Sequence, residues 1–283
     1  MLAGGVGFVA VSCRGISQAQ QSATSQAPTS TPARQAPAPA PVIVRFHEPD
    51  PLDFNDHVGF VQIFDGRTLD KWDGDPASWR VEEGAIVGES TADKPRNNTY
   101  LSYHGEEAKD FDLRLEIKVE KGGGSGIQYR SAVGVPWIRG PRPGQPPPNL
   151  AWMMTGPQAD FWFPVSPRSF AYTGQFYSEN TPLGILAWRG QVTLSTPGKG
   201  PRLVGNIGSR DALGGYIKIN DWNQYEIIAR GGTFIHIING QLMAVYIDDD
   251  PASSNNKSGL IGIEMEGTPS KTSVRNIWLR KLK

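Results

Sequence analysis

One cysteine, Cys13, stands in 283 residues, so neither an intramolecular disulfide nor a cysteine-based zinc site can form. Neither sign of charge is in excess: 28 Lys and Arg face 28 Asp and Glu, which leaves no overall field to draw in nucleic acid. Apolar runs are short, none near the ~20 residues that a membrane-crossing helix needs. Neither Gly-Xaa-Ser-Xaa-Gly nor His-Glu-Xaa-Xaa-His occurs, so serine-hydrolase and zincin readings lack their motifs. Helical signals are equally sparse, with one short turn expected over Ser209–Leu213 and Ser209 as its N-cap. In abundance are glycine (33) and proline (23), about a fifth of the chain, with eight Trp, eight Tyr and eleven Phe. Many turns, short strands and an aromatic core follow.

The organisation divides into three parts. Residues 1–13 hold a short apolar stretch, Leu2 to Val11, ending at Ser12-Cys13, the form of an export signal with a cysteine open to lipidation. Residues 14–58 are a linker and approach to the domain; Gln18 to Pro41 are Gln, Ala, Ser, Thr and Pro apart from Arg34, which cannot bury a core and reads as a disordered tether. The expected location is outside the cytoplasm, in the periplasm or at the cell surface, with a lipid at Cys13 as the membrane contact.

From residue 59 to 283 the period becomes two. In Phe111 to Val119 odd positions face a core and even positions face out. Asn239-Gly240 between apolar runs is the strongest hairpin signal. Turn signals every 8–12 residues point to an all-β, two-sheet antiparallel sandwich or jelly roll. Two loops break the rhythm: Val133 to Asn149, with six prolines beside Trp137, Arg139 and Arg142, and Ser195 to Arg202. Loops of this length in a compact domain are often functional.

The order of segments resembles the 3-keto-disaccharide hydrolase family. The resemblance runs through GFVQIFDGRTLDKW (59–72), WRVEEGAIVGE (79–89), DFDLRLEIKVEKGGGSGIQYR (110–130), GPQADFWF (156–163), YTGQFYSEN (172–180), GILAWRG (184–190), and a tail with DWNQYEIIARGGTFIHIING (221–240), DDD (248–250) and SGLIGIEMEGTPSKTSVRNIWLRKL (258–282). It implies a concanavalin-like lectin or glucanase jelly roll, exported, acting on sugars oxidised at C3. The chain departs from the family at Gly124-Ser125-Gly126, where Asn often precedes Ser-Gly, and at Glu264 and Glu266, where Gln and His are frequent.

A ketone at C3 acidifies the C2 hydrogen, so the glycosidic bond can break by loss of that proton and expulsion of the C1 substituent, followed by water. Such a site needs a base, an acid and an enolate stabiliser. Strand parity puts Gln128 with Arg130, Gln158 with Asp160, and Gln175 with Tyr177 and Glu179. Glu264 and Glu266 share a face opposite Ile261, Ile263 and Met265; Arg114, Glu116 and Lys118 form another polar stripe. The expectation is Asp160 or Glu264 as base and Glu266 or Glu116 as acid. Arg130, Gln128, Gln158, Gln175 and Glu179 would hold hydroxyls and the keto oxygen, with Tyr177 or Trp137 stacking on the ring. His236 shares parity with Phe234 and Ile238 and is a lesser candidate, since a histidine on an apolar face is more often core. Asp248-Asp249-Asp250 offers Ca²⁺ the oxygens it prefers, but consecutive acids on a strand diverge, so a solvated turn is expected and no cofactor is assigned. The partner is a carbohydrate, the substrate a 3-keto-glycoside. The rival readings are a lectin-like module without turnover and an envelope scaffold, because fold does not fix function.

Overall fold

The alternation read from the sequence closes into two sheets packed face to face. The computed structural model describes residues 53–96, 98–138, 149–267 and 269–283; the leader with Cys13, the linker as far as residue 52, and Arg139 and Arg142 lie outside the described residues. The front sheet runs Gly184–Ala187, Phe176–Glu179, Met154–Trp162, Gly124–Val133, Gly259–Glu266, Thr99–Ala108 and Trp72–Gly74, antiparallel throughout. The back sheet runs Lys199–Asn206, Gln191–Thr196, Gln241–Asp248, Thr233–Ile238, Asn223–Arg230, Phe111–Glu120, Ser270–Lys281, Ala85–Ser90 and Trp79–Glu82, with Val61–Gln62 added to Ser270–Lys281. Its one departure from antiparallel order is Gln191–Thr196 beside Gln241–Asp248. The architecture is the expected two-sheet jelly-roll sandwich.

The core sits between the sheets. Phe111, Leu113, Leu115, Ile117 and Val119 are buried from the back sheet, against Ile127, Tyr129, Phe161, Ile261, Ile263 and Met265 of the front sheet. Each such side chain contributes about 1.5–3 kcal/mol by leaving water. Asn239 and Gly240 both take positive φ (51° and 77°), the demand of a tight two-residue hairpin. Ser209 accepts from the Ala212 N–H and caps a helix over Arg210–Gly214, as the sequence predicts.

The outer face of the back sheet departs from a solvated stripe. Arg114 is buried there because residues 53–60, mostly assigned to the linker, fold down on it. Its Nη1 donates to the carbonyls of Asp53 (3.1 Å), Phe54 (3.3 Å) and Asp56 (2.9 Å), its Nε donates to Glu226 (3.0 Å), and the ring of Phe60 lies 4.7 Å from the guanidinium. His57 stacks on Trp278 at 4.1 Å. Asp248 is also buried rather than solvated: Ser253 Oγ (2.6 Å) and Asn255 Nδ2 (3.1 Å) donate to its carboxylate, which makes it the anchor of a turn.

Candidate active site

A glycine-rich stretch in the middle of the front sheet creates the room for a site. Gly124 and Gly126 alternate on the outward face of the Gly124–Val133 strand. A Cβ at 124 would strike the ring of Trp162, and one at 126 would overlap the Gln158 amide. Side chains from the neighbouring strand therefore lie across the sheet over these two positions.

Pairing register then lines up three rows on that face. Glu266, Gly124 and Trp162 stand opposite one another; next come Tyr100, Glu264, Gly126 and Asp160; then Gly262, Gln128, Gln158, Tyr177 and Ile185. Successive rows are two residues apart, ~7 Å along the strands, and Glu264 and Asp160 are two strands apart, ~10 Å at their backbones. Crossing Gly126, the Gln158 amide donates to Oε2 of Glu264. Asn98 Nδ2 (2.8 Å) and the Tyr100 hydroxyl (2.9 Å) donate to Oε1. The Gln175 amide donates to Oδ2 of Asp160.

Burial sets the electrostatics. It holds the Glu264 carboxyl well above the usual carboxylate range, helped by the charges of Glu179, Glu266 and Asp160 and partly offset by the Gln158 hydrogen bond. Burial likewise raises Asp160; the Gln175 amide opposes the rise, and Glu179 and Glu266 add to it. Tyr100 is pushed up by burial and by the charges of Glu179 and Glu264. Two buried carboxyls with raised pKa, Glu264 and Asp160, thus share one face of the sheet with a half-buried Glu266.

Above them opens a cavity of about 420 Å³, within the range of small-molecule sites. One end is walled by Trp162 and Tyr172, whose rings meet at 5.4 Å, with Arg168 Nε donating to the Tyr172 hydroxyl (3.0 Å). Arg189, fully buried, fixes that wall by donating to the carbonyls of Phe170 and Thr173 at 2.8 Å each. The other end carries Trp137. Asn180, at φ 52°, holds its segment by accepting from the Ile138 N–H (2.9 Å) and donating to the carbonyls of Val135 (3.4 Å) and Pro136 (3.1 Å).

Eight residues singled out from the sequence line this cavity: Asp160, Glu264, Glu266, Gln158, Gln175, Tyr177, Glu179 and Trp137. Four lie elsewhere. Glu116 is on the outer face of the back sheet, bonded to Arg275 (2.7 Å) and Asn276 (2.6 Å); parity grouped it with polar residues but could not say which sheet. Arg130 leaves the face of Gln128 because the strand bulges between Gln128 and Ala132, with Arg130 itself at φ 49°. Its guanidinium instead ties the carbonyls of Lys109, Gly231 and Asn255 and the carboxylate of Asp110 at one end of the sandwich. Gln128 lies in the third row, but its carbonyl accepts from Ser131 Oγ (2.8 Å) and it does not line the cavity. His236 is a core residue. Its Nδ1–H donates to the Gln175 carbonyl (3.1 Å), the Tyr129 hydroxyl donates to Nε2 (2.8 Å), and burial lowers its pKa to about 4.

Sequence reasoning missed Asn98, Trp162, Arg168, Tyr172, Asn180 and Ile185. Trp162 carried a signal, being two residues beyond Asp160; the others reach the cavity through turns or strand ends that parity does not follow. Among the described residues no three His, Cys, Asp or Glu side chains group to hold a metal ion.

A 3-keto-disaccharide hydrolase of Bacteroides thetaiotaomicron is 36% identical over 80 residues, a match that spans 25% of this chain and 27% of the relative's length. Solved structures similar to the sandwich include a Parabacteroides distasonis ATCC 8503 protein provisionally named a glycosyl hydrolase (17% identity, 80% of this chain and 95% of that one, TM-score 0.48). A β-glucanase of Bacillus licheniformis is similar at 11% identity, over 79% of this chain and 97% of that one, with a TM-score of 0.43. The family described as a 3-keto-alpha-glucoside-1,2-lyase-like domain matches residues 59–280, nearly the whole region after the linker, and this chain belongs to that family.

Proposed function

We propose that this protein is an exported enzyme, tethered through Cys13, that cleaves 3-keto-glycosides by removing the C2 proton and expelling the C1 substituent. The observation that carries the reading is the placement of Glu266, Glu264 and Asp160 on one face of one sheet, within a single cavity, with burial raising the pKa of Glu264 and Asp160. Burial reverses the roles expected from the sequence. Glu266 is the base; Asp160, whose Oδ2 accepts from the Gln175 amide, is the acid.

The steps balance. Glu266 takes the C2 proton, the electron pair moves to the C3 oxygen as an enolate, and its return forms the C1–C2 double bond while the C1–O bond breaks. Asp160 gives its proton to the departing oxygen; water then adds at C1, passing a proton to Asp160 while Glu266 returns its proton to C2, which yields the free 3-keto sugar and resets both carboxyls. Positioned acid and base groups each contribute roughly 10²–10⁴. Arg168, the one cation of the lining among the described residues, supplies positive potential toward the enolate. Glu264, with three donors on its two oxygens, aims the amides of Gln158 and Asn98.

The test is incubation in D₂O with a 3-keto-glucoside and its unoxidised parent, following C2 exchange and leaving-group release by NMR. Exchange or release from the keto compound alone is expected. Silence with both overturns the proposal and favours a carbohydrate-binding module; cleavage of the parent at an equal rate overturns it in favour of ordinary glycoside hydrolysis.

A further inference from the structure

A glycine turns the Trp162 end of the cavity into a flat surface. Gly124 does not take a positive φ, so glycine is needed there for space and not for backbone freedom. A Cβ built on it would lie 2.7 Å from Cε2, 2.8 Å from Cζ2 and 2.9 Å from Cδ2 of Trp162. Cε2 is a fusion atom of the indole, bonded to three other ring atoms, so nothing approaches it within the plane. A point closest to it and nearly equidistant from its two carbon neighbours lies over the flat of the ring. The indole is therefore laid face-down across Gly124, and with that face against the strand the opposite one lines the cavity. Tyr172 meets the indole at 63°, so the two rings do not stack.

The surface lies where the proposed reaction needs a sugar. In register, Gly124 stands between Glu266 on one neighbouring strand and Trp162 on the other. The six-membered ring of the indole lies over Gly124 itself, one strand spacing, ~4.8 Å, from the backbone of the half-buried Glu266. A pyranose carries its hydroxyls around the rim and C–H groups on its two faces. An aromatic face covers such a C–H face and takes it out of water, while the rim stays open to the carboxyls and amides of the neighbouring rows.

We infer that the Trp162 indole is the platform on which the reacting pyranose ring stacks, with C2 beside Glu266, and that Gly124 is the positioning residue that lets this platform lie flat. The ligand it takes is a six-membered sugar ring with one unobstructed C–H face. The inference rests on the proposed C2 abstraction for which ring is stacked.

The test uses the full chain and two probes: a 3-keto-glucoside, and 1,5-anhydro-D-glucitol oxidised at C3, which has no group to expel at C1 and so is not cleaved. Saturation transferred by NMR from the aromatic protons of the protein to the second probe is expected to fall on one face of the sugar, either H2 and H4 or H5 and the axial H1, and to vanish in Trp162→Ala. In the same variant kcat/KM for the 3-keto-glucoside is expected to fall about tenfold to a hundredfold, the value of covering two or three C–H groups, and to fall less in Trp162→Phe, which keeps an aromatic face. Gly124→Ala keeps the indole and every reacting group but lifts the ring off the strand. It is expected to lose about as much as Trp162→Ala, yet to cost less than about twofold once Trp162 is already alanine, whereas a mere loosening of the sheet would cost the same in both backgrounds. Face-selective, Trp162-dependent saturation without cleavage of the keto-glucoside keeps the platform and overturns the proposed reaction. Cleavage that Trp162→Ala and Gly124→Ala change less than about threefold overturns the platform, as does saturation that is absent, equal on both faces, or unchanged in Trp162→Ala.

Discussion

Gly126→Ala tests whether the absent side chain at the centre of the front sheet is what assembles the site. Residue 126 has ordinary strand dihedrals, so alanine meets no backbone penalty and on its own favours the strand by about 0.5–1 kcal/mol. Its Cβ, however, occupies the path of the Gln158 side chain. The flexible amide swings aside, and Oε2 of Glu264 loses the donor it has in a buried position. Losing a hydrogen bond of this kind costs about 1–3 kcal/mol, so the net change is a destabilisation of about 1–2 kcal/mol. At ~2–4 °C per kcal/mol for a domain of this size, Tm falls by about 2–8 °C. The decisive measurement is a cycle with Gln158→Ala, using thermal unfolding by circular dichroism. With the amide already gone, Gly126→Ala should be neutral or slightly stabilising, giving a coupling of about 1–3 kcal/mol. An equal cost in both backgrounds would refute the reasoning, because it would place the clash elsewhere than at Gln158.

Other substitutions separate chemistry from scaffold. Asp160→Asn should lower turnover by about 10²–10⁴ and raise thermal stability. The folded state keeps a proton that the unfolded chain releases above about pH 4, so the wild-type carboxyl drains stability as pH climbs from there toward its raised folded value. The gain in Tm should accordingly be near zero at pH 4 and clear at pH 8; a gain that did not grow with pH would contradict the assignment. Glu116→Gln should leave turnover within about twofold and cost less than about 1 kcal/mol, since its pairing with Arg275 is partly exposed; a large kinetic defect would return it to the site. His236 has a folded pKa of about 4, below its unfolded value, so its contribution is whole above pH 6.5 and is lost as pH falls toward 4. Urea unfolding of His236→Gln should show an acid-side loss between pH 7 and 4.5 smaller than that of the wild type by on the order of 2–3 kcal/mol.

The sequence revealed what depends on local repetition. Alternation in Phe111–Val119 identified the core face, and the spacing of Glu264 and Glu266 against Ile261, Ile263 and Met265 identified the face of the site, because a regular strand keeps parity. Arg130 shows where that logic ends: one bulge after Gln128 rotates every later side chain, and nothing in the residue types there announces it. Glu116 shows a second limit. Parity says which residues share a face, whereas the choice between two outer faces is made by pairing partners more than a hundred residues away, such as Arg275. Asn98 and Tyr172 were invisible for the same reason, as their places follow from the tertiary arrangement. Arg114 shows a third limit: parity places it in a polar stripe, but its burial depends on residues 53–60 folding over it, which no local pattern announces.

The single amide of Asn180 that fastens the wall bearing Trp137 has an evolutionary consequence. Reacting groups stand on paired strands, where a change propagates through a ladder of hydrogen bonds. The segment bearing Trp137 is fastened by Asn180 through contacts to backbone atoms, which are indifferent to side-chain identity, while Trp137 itself packs against Tyr100, Met153 and Met154. Residues 135, 136 and 138 can be exchanged while the carboxyl rows keep their geometry, whereas Trp137 leans on Tyr100, a donor to Glu264. A laboratory library confined to positions 135, 136 and 138 would therefore vary the rim of the cavity at little risk to the fold.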